Sequence, residues 1–375
     1  MQPSLKPERP NFSSGPTCKR PNWRIDKLDL ITIGRSHRSS LCLDRINHLV
    51  DLTKNVLEIP ETYHVGILPG SCTGAMEAAM WSLLGPRPVD FVSFDVFGNV
   101  WIHDGLKELK LKNTQVLTAP PGCLPDLSKV NPSHDVVFTY NGSTTGVCVP
   151  NGEWISDKRE GLVICDAISA LFSMSFPWEK MDVVSFAWQK GLGGEAAHGM
   201  LVLSPRAVER LESHRPPWPI PRVFRLAEEG KFSKRIFEGM TINTPSMFII
   251  EDFIDALTWA QDIGGLPILI SRSKANLKAV EEWVEKTPWI EFLVQDPEIR
   301  SSSTICLRFP EDPVGWLYPK AIASLLEDNG IAYGILGHTS SVPCLRIWGG
   351  PTVEASDIKA LLPWITWAYE QVKSA

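Results

Sequence analysis

Between residues 41 and 255 short, continuous apolar runs alternate with stretches in which apolar residues return at helical spacing. The runs Val65–Leu68, Phe91–Phe94, Gln115–Thr118, Val136–Tyr140, Leu162–Cys165, Val183–Trp188 and Met200–Leu203 read as seven strands. They are apolar throughout instead of alternating in and out, which suits a sheet covered on both faces and hence an α/β architecture. Gly74–Leu84 reads as a helix after the first strand, with Ala75, Ala78 and Ala79 small enough for close packing. Residues 1–40 read as an extended N-terminal arm with turns. After about residue 255 the texture changes: a long helix over Pro267–Thr287 is followed by strand candidates Ile290–Val294, Ser303–Phe309, Ala332–Ile335 and Cys344–Trp348. Helices near Pro319–Asn329 and Ala355–Val372 complete a smaller α+β domain over 256–375. Arg215–Asn243 reads as a long surface excursion of the kind that serves function or an interface.

Composition narrows the class. The 375 residues are 43% hydrophobic and 21% charged, ordinary for a globular chain, with a net charge of −6 that argues against nucleic-acid and anionic-membrane partners. The eight cysteines form no C-x-x-C pair and several lie in apolar runs, which reads as reduced thiols in the cytoplasm. The polar, proline-rich start carries no apolar signal segment, and no run is long enough to span a membrane.

Four features stand at the ends of candidate strands, where ligands of open α/β sheets collect. Gly70-Ser71-Cys72-Thr73-Gly74 opens a helix and can cradle a phosphate, or is simply a capped turn. Trp101 can stack on a flat heteroaromatic ring, or is one of fourteen tryptophans that fill the core. Asp166 ends an apolar run and needs a cation, unless it serves as an N-cap for the next segment. Lys190 comes 24 residues later, after Val183–Trp188 and before Gly191-Leu192-Gly193-Gly194, where a desolvated amine can form a Schiff base with an aldehyde. Phosphate cradle, ring stacker, partner for a ring nitrogen and amine together describe a pyridoxal phosphate (PLP) site.

The chain also resembles a known family nearly end to end. Phe12-Ser13-Ser14-Gly15-Pro16, Gly34–Ser39 (G-R-S-H-R-S), Ser185–Lys190 (S-F-A-W-Q-K), Ile242–Ser246 (I-N-T-P-S) and Leu345–Trp348 (L-R-I-W) are similar to class V, fold-type I aminotransferases, specifically the phosphoserine aminotransferase family of archaea and bacteria. The resemblance implies a large PLP-binding domain (41–255) with a mostly parallel seven-stranded sheet and the smaller C-terminal domain. It implies that Lys190 forms the Schiff base and shuttles the proton, Asp166 pairs with the pyridine nitrogen, Trp101 stacks on the ring and Ser143 reaches the ring hydroxyl region. Ser71, Cys72, Thr73 and Gln189 would surround the cofactor phosphate, joined by Asn243 and Thr244 from the neighbouring subunit of a homodimer with shared active sites.

For substrates, the resemblance implies L-glutamate and a small phosphorylated 2-oxo acid, 3-phosphohydroxypyruvate, and leaves open a role in vitamin B6 synthesis. Arg346 would fork onto the α-carboxylate, with His37, Arg38 and His338 at the far anionic group. One departure stands out: many members carry His-Arg where this chain has His338-Thr339, with Arg35 and Arg300 as candidate substitutes. Three other readings remain at this level: a serine or alanine:glyoxylate aminotransferase, a cysteine desulfurase using Cys344, and a non-catalytic scaffold of the same fold.

Overall fold

A computed structural model describes residues 2–374. Seven strands form one sheet in the order β1-β7-β6-β5-β4-β2-β3. They are β1 (His64–Pro69), β2 (Val89–Ser93), β3 (Thr114–Thr118), β4 (Asp135–Thr139), β5 (Val163–Asp166), β6 (Val183–Ala187) and β7 (His198–Leu203). Only β7 runs antiparallel to its neighbours. Every residue of β2, β4, β5, β6 and β7 is buried, as continuous apolar runs require when helices cover both faces.

On one face α1 (Ser40–Leu57) packs against α5 (Met247–Asp262) over a core that includes Ile46, Leu49, Phe186, Trp188 and Phe253. On the other lies α2 (Ser71–Leu83), where Ala75, Ala78 and Ala79 are fully buried against β6 and β7. Gly199 of β7 admits no side chain, because a Cβ would lie 2.1 Å from the Ser71 carbonyl oxygen. Helix α3 (Val96–His103) follows β2 and α4 (Pro205–Ser213) follows β7. Between α4 and α5 the long excursion carries a two-residue hairpin, β8 (Ala227–Glu228) and β9 (Lys231–Phe232), and buries Leu226, Ile236 and Phe237 against the sheet.

A second core lies under an antiparallel sheet β10-β11-β12 (Glu291–Phe292, Thr304–Arg308, Leu345–Trp348). Helices α6 (Gly265–Val284), α7 (Leu317–Asp328) and α8 (Ala355–Ser374) contribute to that core. The expected strand at Ala332–Ile335 reduces to isolated bridges at Tyr333 and Leu336, since Gly330 and Gly334 at φ of 66° and 71° turn the chain out of an extended path. Helix α5 spans residue 255. The arm does not hang free: Phe12 is fully buried in the second core, and its carbonyl accepts from the Trp348 N–H of β12.

Candidate functional site

The parallel strands β4, β5 and β6 end side by side, so the ladder sets Thr139 opposite Asp166 and Asp166 opposite Ser185. Their C-terminal edge, with the starts of α2 and α3, encloses a cavity of about 220 Å³. Lys190 enters it from the turn after β6 and is 8% exposed. Burial pushes its ammonium down to about 8, and the charge of Arg346 pushes the same way against Asp166 and Asp95. Gly15 of the arm touches the same amine: a Cβ there would sit 2.8 Å from Lys190 Cε and 2.9 Å from Nζ. Next to it Thr17 ties the arm to the lysine turn, its N–H donating to Gln189 O (2.9 Å) and its hydroxyl to Lys190 O (2.5 Å).

Asp166 is 4% exposed and makes no salt bridge among the described residues. Burial raises its carboxyl, opposed by hydrogen bonds from the Ile168 N–H (3.1 Å to Oδ1), the Cys72 thiol (3.3 Å to Oδ1) and the Trp101 indole N–H (3.3 Å to Oδ2). A second carboxylate, Asp95, caps α3 through the Gly98 N–H at 2.8 Å, and burial carries it up to about 7. The other oxygen of Asp95 has no partner, nor have Thr139 Oγ1, Asn141 Oδ1 and Gln189 Oε1, all on residues lining the cavity. So many unpaired buried polar atoms in one place belong to a site built for a polar ligand.

The residues present fit PLP. Asp166 is a buried carboxylate short of a cation, as a protonated ring nitrogen requires. At the other end α2 begins with Gly70 at φ 82° and Ser71 at φ 58°, and its first residues Ser71, Cys72 and Thr73 line the cavity, where the N-terminal N–H groups of a helix lack helical partners. Gln189 Nε2 donates to Ser71 Oγ at 2.8 Å, joining two of the residues expected at the phosphate, with Thr73 exposed beside them. That is an anion site at a helix N-terminus.

Lys190, Asp166, Ser71, Cys72, Thr73, Trp101, Ser143 and Gln189 therefore share one cavity. One differs from expectation. Cys72 turns its sulfur to Asp166 and Ser185 (3.4 Å), away from the phosphate end. Trp101 is 3% exposed, with its N–H on Asp166, and lines the cavity together with Phe97, one turn earlier on α3 and 37% exposed. Arg346 flanks the cavity: Nη1 donates to Ser143 O at 3.0 Å and its buried Nε is unpaired. His338 lies near, its imidazole lowered by burial and by the charges of Arg346 and Lys190, with its ring 6.3 Å from that of Phe97.

His37, Arg38, Asn243 and Thr244 are not in this cavity. Arg38 is exposed, donates to Thr241 O at 2.9 Å, and lines a separate basic cavity with Arg215, Arg222, Arg225 and Arg235. His37 beside it is lowered by partial burial and by Arg38, and Asn243 and Thr244 are exposed just beyond the Thr241 contact. Of the candidates for the missing arginine, Arg300 is committed: it pairs with Glu281 at 2.8 Å and stacks on Phe292. Arg35 is exposed on the arm. Asp95 and Phe97 were not foreseen, because an aspartate before F-G-N reads as an ordinary cap; Gly15 lay inside the F-S-S-G-P motif with no role attached.

No protein-family model matches the chain. It is 48% identical over 375 residues to the phosphoserine aminotransferase of Methanosarcina mazei, covering all of both chains. Its structure is similar to that of a phosphoserine aminotransferase from Cytophaga hutchinsonii (TM-score 0.82, 22% identity, 95% of this chain and 98% of the other). It is also similar to a PLP-bound phosphoserine aminotransferase from Trichomonas vaginalis (TM-score 0.75, 19% identity, 95% and 99% covered). With full-length identity near one half and the motif residues gathered at one sheet edge, the chain belongs to the phosphoserine aminotransferase family.

Proposed function

We propose that the chain moves the amino group of L-glutamate to 3-phosphohydroxypyruvate, giving O-phospho-L-serine and 2-oxoglutarate, with PLP as carrier. The observation that carries this is Lys190: an amine buried in the lining of a cavity, lowered to about 8, with the carboxylate of Asp166, free of any salt bridge among the described residues, in the same cavity. When bound, PLP supplies an aldehyde for the amino group and a pyridine ring that takes up electron density. Asp166 holds the ring nitrogen, and the start of α2 with Ser71 and Gln189 holds the phosphate. Lys190 Nζ, its ammonium lowered to about 8 by burial, takes the proton from substrate Cα as general base and returns it as general acid. Arg346, with Nε unsatisfied, binds the substrate α-carboxylate.

The distal anionic group needs a second cation, and within one chain Arg38 lines a different cavity from Lys190. A homodimer in which Arg38, His37, Asn243 and Thr244 of one subunit complete the partner's site accounts for this, and a cytoplasmic enzyme accounts for eight free cysteines. The glyoxylate-type reading leaves Arg38 without work. Cys344 is fully buried, which argues against the desulfurase. Against the scaffold stands the lowered Lys190. The test is direct: protein mixed with PLP gains visible absorbance that Lys190→Ala lacks, and O-phosphoserine is preferred to serine as donor in the reverse direction. Equal use of the two would sink the phosphorylated-substrate assignment.

A further inference from the structure

The surroundings of Asp166 hold more than a counter-charge. Oδ1 receives the Ile168 N–H at 3.1 Å and lies 3.3 Å from the Cys72 sulfur; Oδ2 lies 3.3 Å from the Trp101 indole nitrogen. Amide and indole N–H groups can only donate. Cys72 sits in a chain with Ser185, whose hydroxyl is 3.4 Å from both the Cys72 and the Met76 sulfurs. With the Ser185 hydroxyl spent on a sulfur acceptor, the Cys72 thiol proton is left for Asp166. Burial and the negative charge of Asp166 raise the Cys72 thiol well above its ordinary value, so it stays protonated and able to donate. A neutral Asp166 would have to aim its own proton at groups that offer protons; an ionised one satisfies all of them. Burial favours the neutral acid and the three donors favour the anion.

We propose that Trp101 and Cys72 are positioning residues that keep the Asp166 carboxylate ionised and aimed into the cavity, and so govern how strongly it holds the protonated ring nitrogen of PLP. This rests on the reading of the cavity as a PLP site. It gives the Trp101 indole N–H a task in addition to the place of its ring in the cavity lining, which it shares with Phe97, one turn earlier on α3.

The proposal is tested by binding, using apoprotein titrated with PLP and with its analogue in which the ring nitrogen is replaced by carbon. Trp101→Phe, which removes the N–H and keeps an aromatic ring, should weaken PLP about tenfold and leave the carbon analogue within about twofold, the size expected for a hydrogen bond to a charged group. Cys72→Ala should act in the same sense but less, about threefold, and Cys72→Ser, which keeps a donor, should restore PLP affinity. Phe97→Ala should weaken both compounds by the same factor. Equal losses for PLP and the analogue in Trp101→Phe would overturn the proposal, as would unchanged PLP affinity in Trp101→Phe and Cys72→Ala alike. Wild-type protein that takes up neither compound would instead remove the PLP reading itself, and this inference with it.

Discussion

Lys190 and Arg38 are both basic side chains singled out by motif, and they stand in opposite settings. Lys190 is 8% exposed, ringed by the ends of three strands and the start of two helices, and its amine is pressed toward neutrality. Arg38 is exposed, rests on the Thr241 carbonyl and faces other arginines across a wide cavity. Around Lys190 the fold itself supplies the dryness that proton transfer at a nitrogen needs. Around Arg38 the charge is fixed whatever the burial, because a guanidinium does not give up its proton, so the group can wait in water for an anionic ligand. On the proposed function, reactivity is set inside one chain and recognition of the distal group is left to a surface.

Replacing Lys190 by alanine should cost the most, roughly 10²–10⁴-fold in kcat, with no change in the far-ultraviolet circular dichroism. Next comes Arg38→Ala: KM for the phosphorylated substrate should rise by an amount worth about 1.5–3 kcal/mol, with PLP absorbance intact. If the two residues serve one site from two subunits, co-expressing the two variant chains should restore roughly a quarter of wild-type activity at substrate concentrations too low for Arg38→Ala to turn over, since half the dimers then hold one sound site. No recovery would place both in a single chain's site. The pH response tests the Lys190 side. The neutral amine is the nucleophile, so PLP capture should speed up as pH rises through about 8 and level off above. The smallest effect is expected from Gly15→Ala. Its Cβ would crowd the flexible end of Lys190 at 2.8 Å on a backbone at φ 154° that favours glycine, lowering kcat roughly three- to tenfold and the melting temperature slightly.

The large sheet was legible because strands covered on both faces are mostly apolar, and all seven runs became strands, the edge strand β3 being the partly exposed and more polar one. Asp166 and Lys190 were legible for the same reason, as charged residues where such runs stop. Spacing along the chain said nothing about which way a side chain turns once the strands are side by side. Cys72 was expected at the phosphate and faces Asp166 because it is buried at the first turn of α2, across from β5 and β6. Asp95 hid as a helix cap, and its second, unpaired oxygen exists only in three dimensions. In the small domain the run Ala332–Ile335 looked like a strand by apolar content, but glycines with left-handed backbone stand just before it and within it, at Gly330 and Gly334.

The arm has a mechanical consequence. Its Phe12 carbonyl is strung to Trp348 in the small sheet, while Thr17 is strung to the carbonyls of Gln189 and Lys190. Five residue steps separate the two anchors, and a fully extended chain covers roughly 17 Å over that span. The arm is therefore a tether: if the small sheet swings away to admit substrate, the slack ends at that length, and further travel pulls on the peptide that carries the reactive lysine.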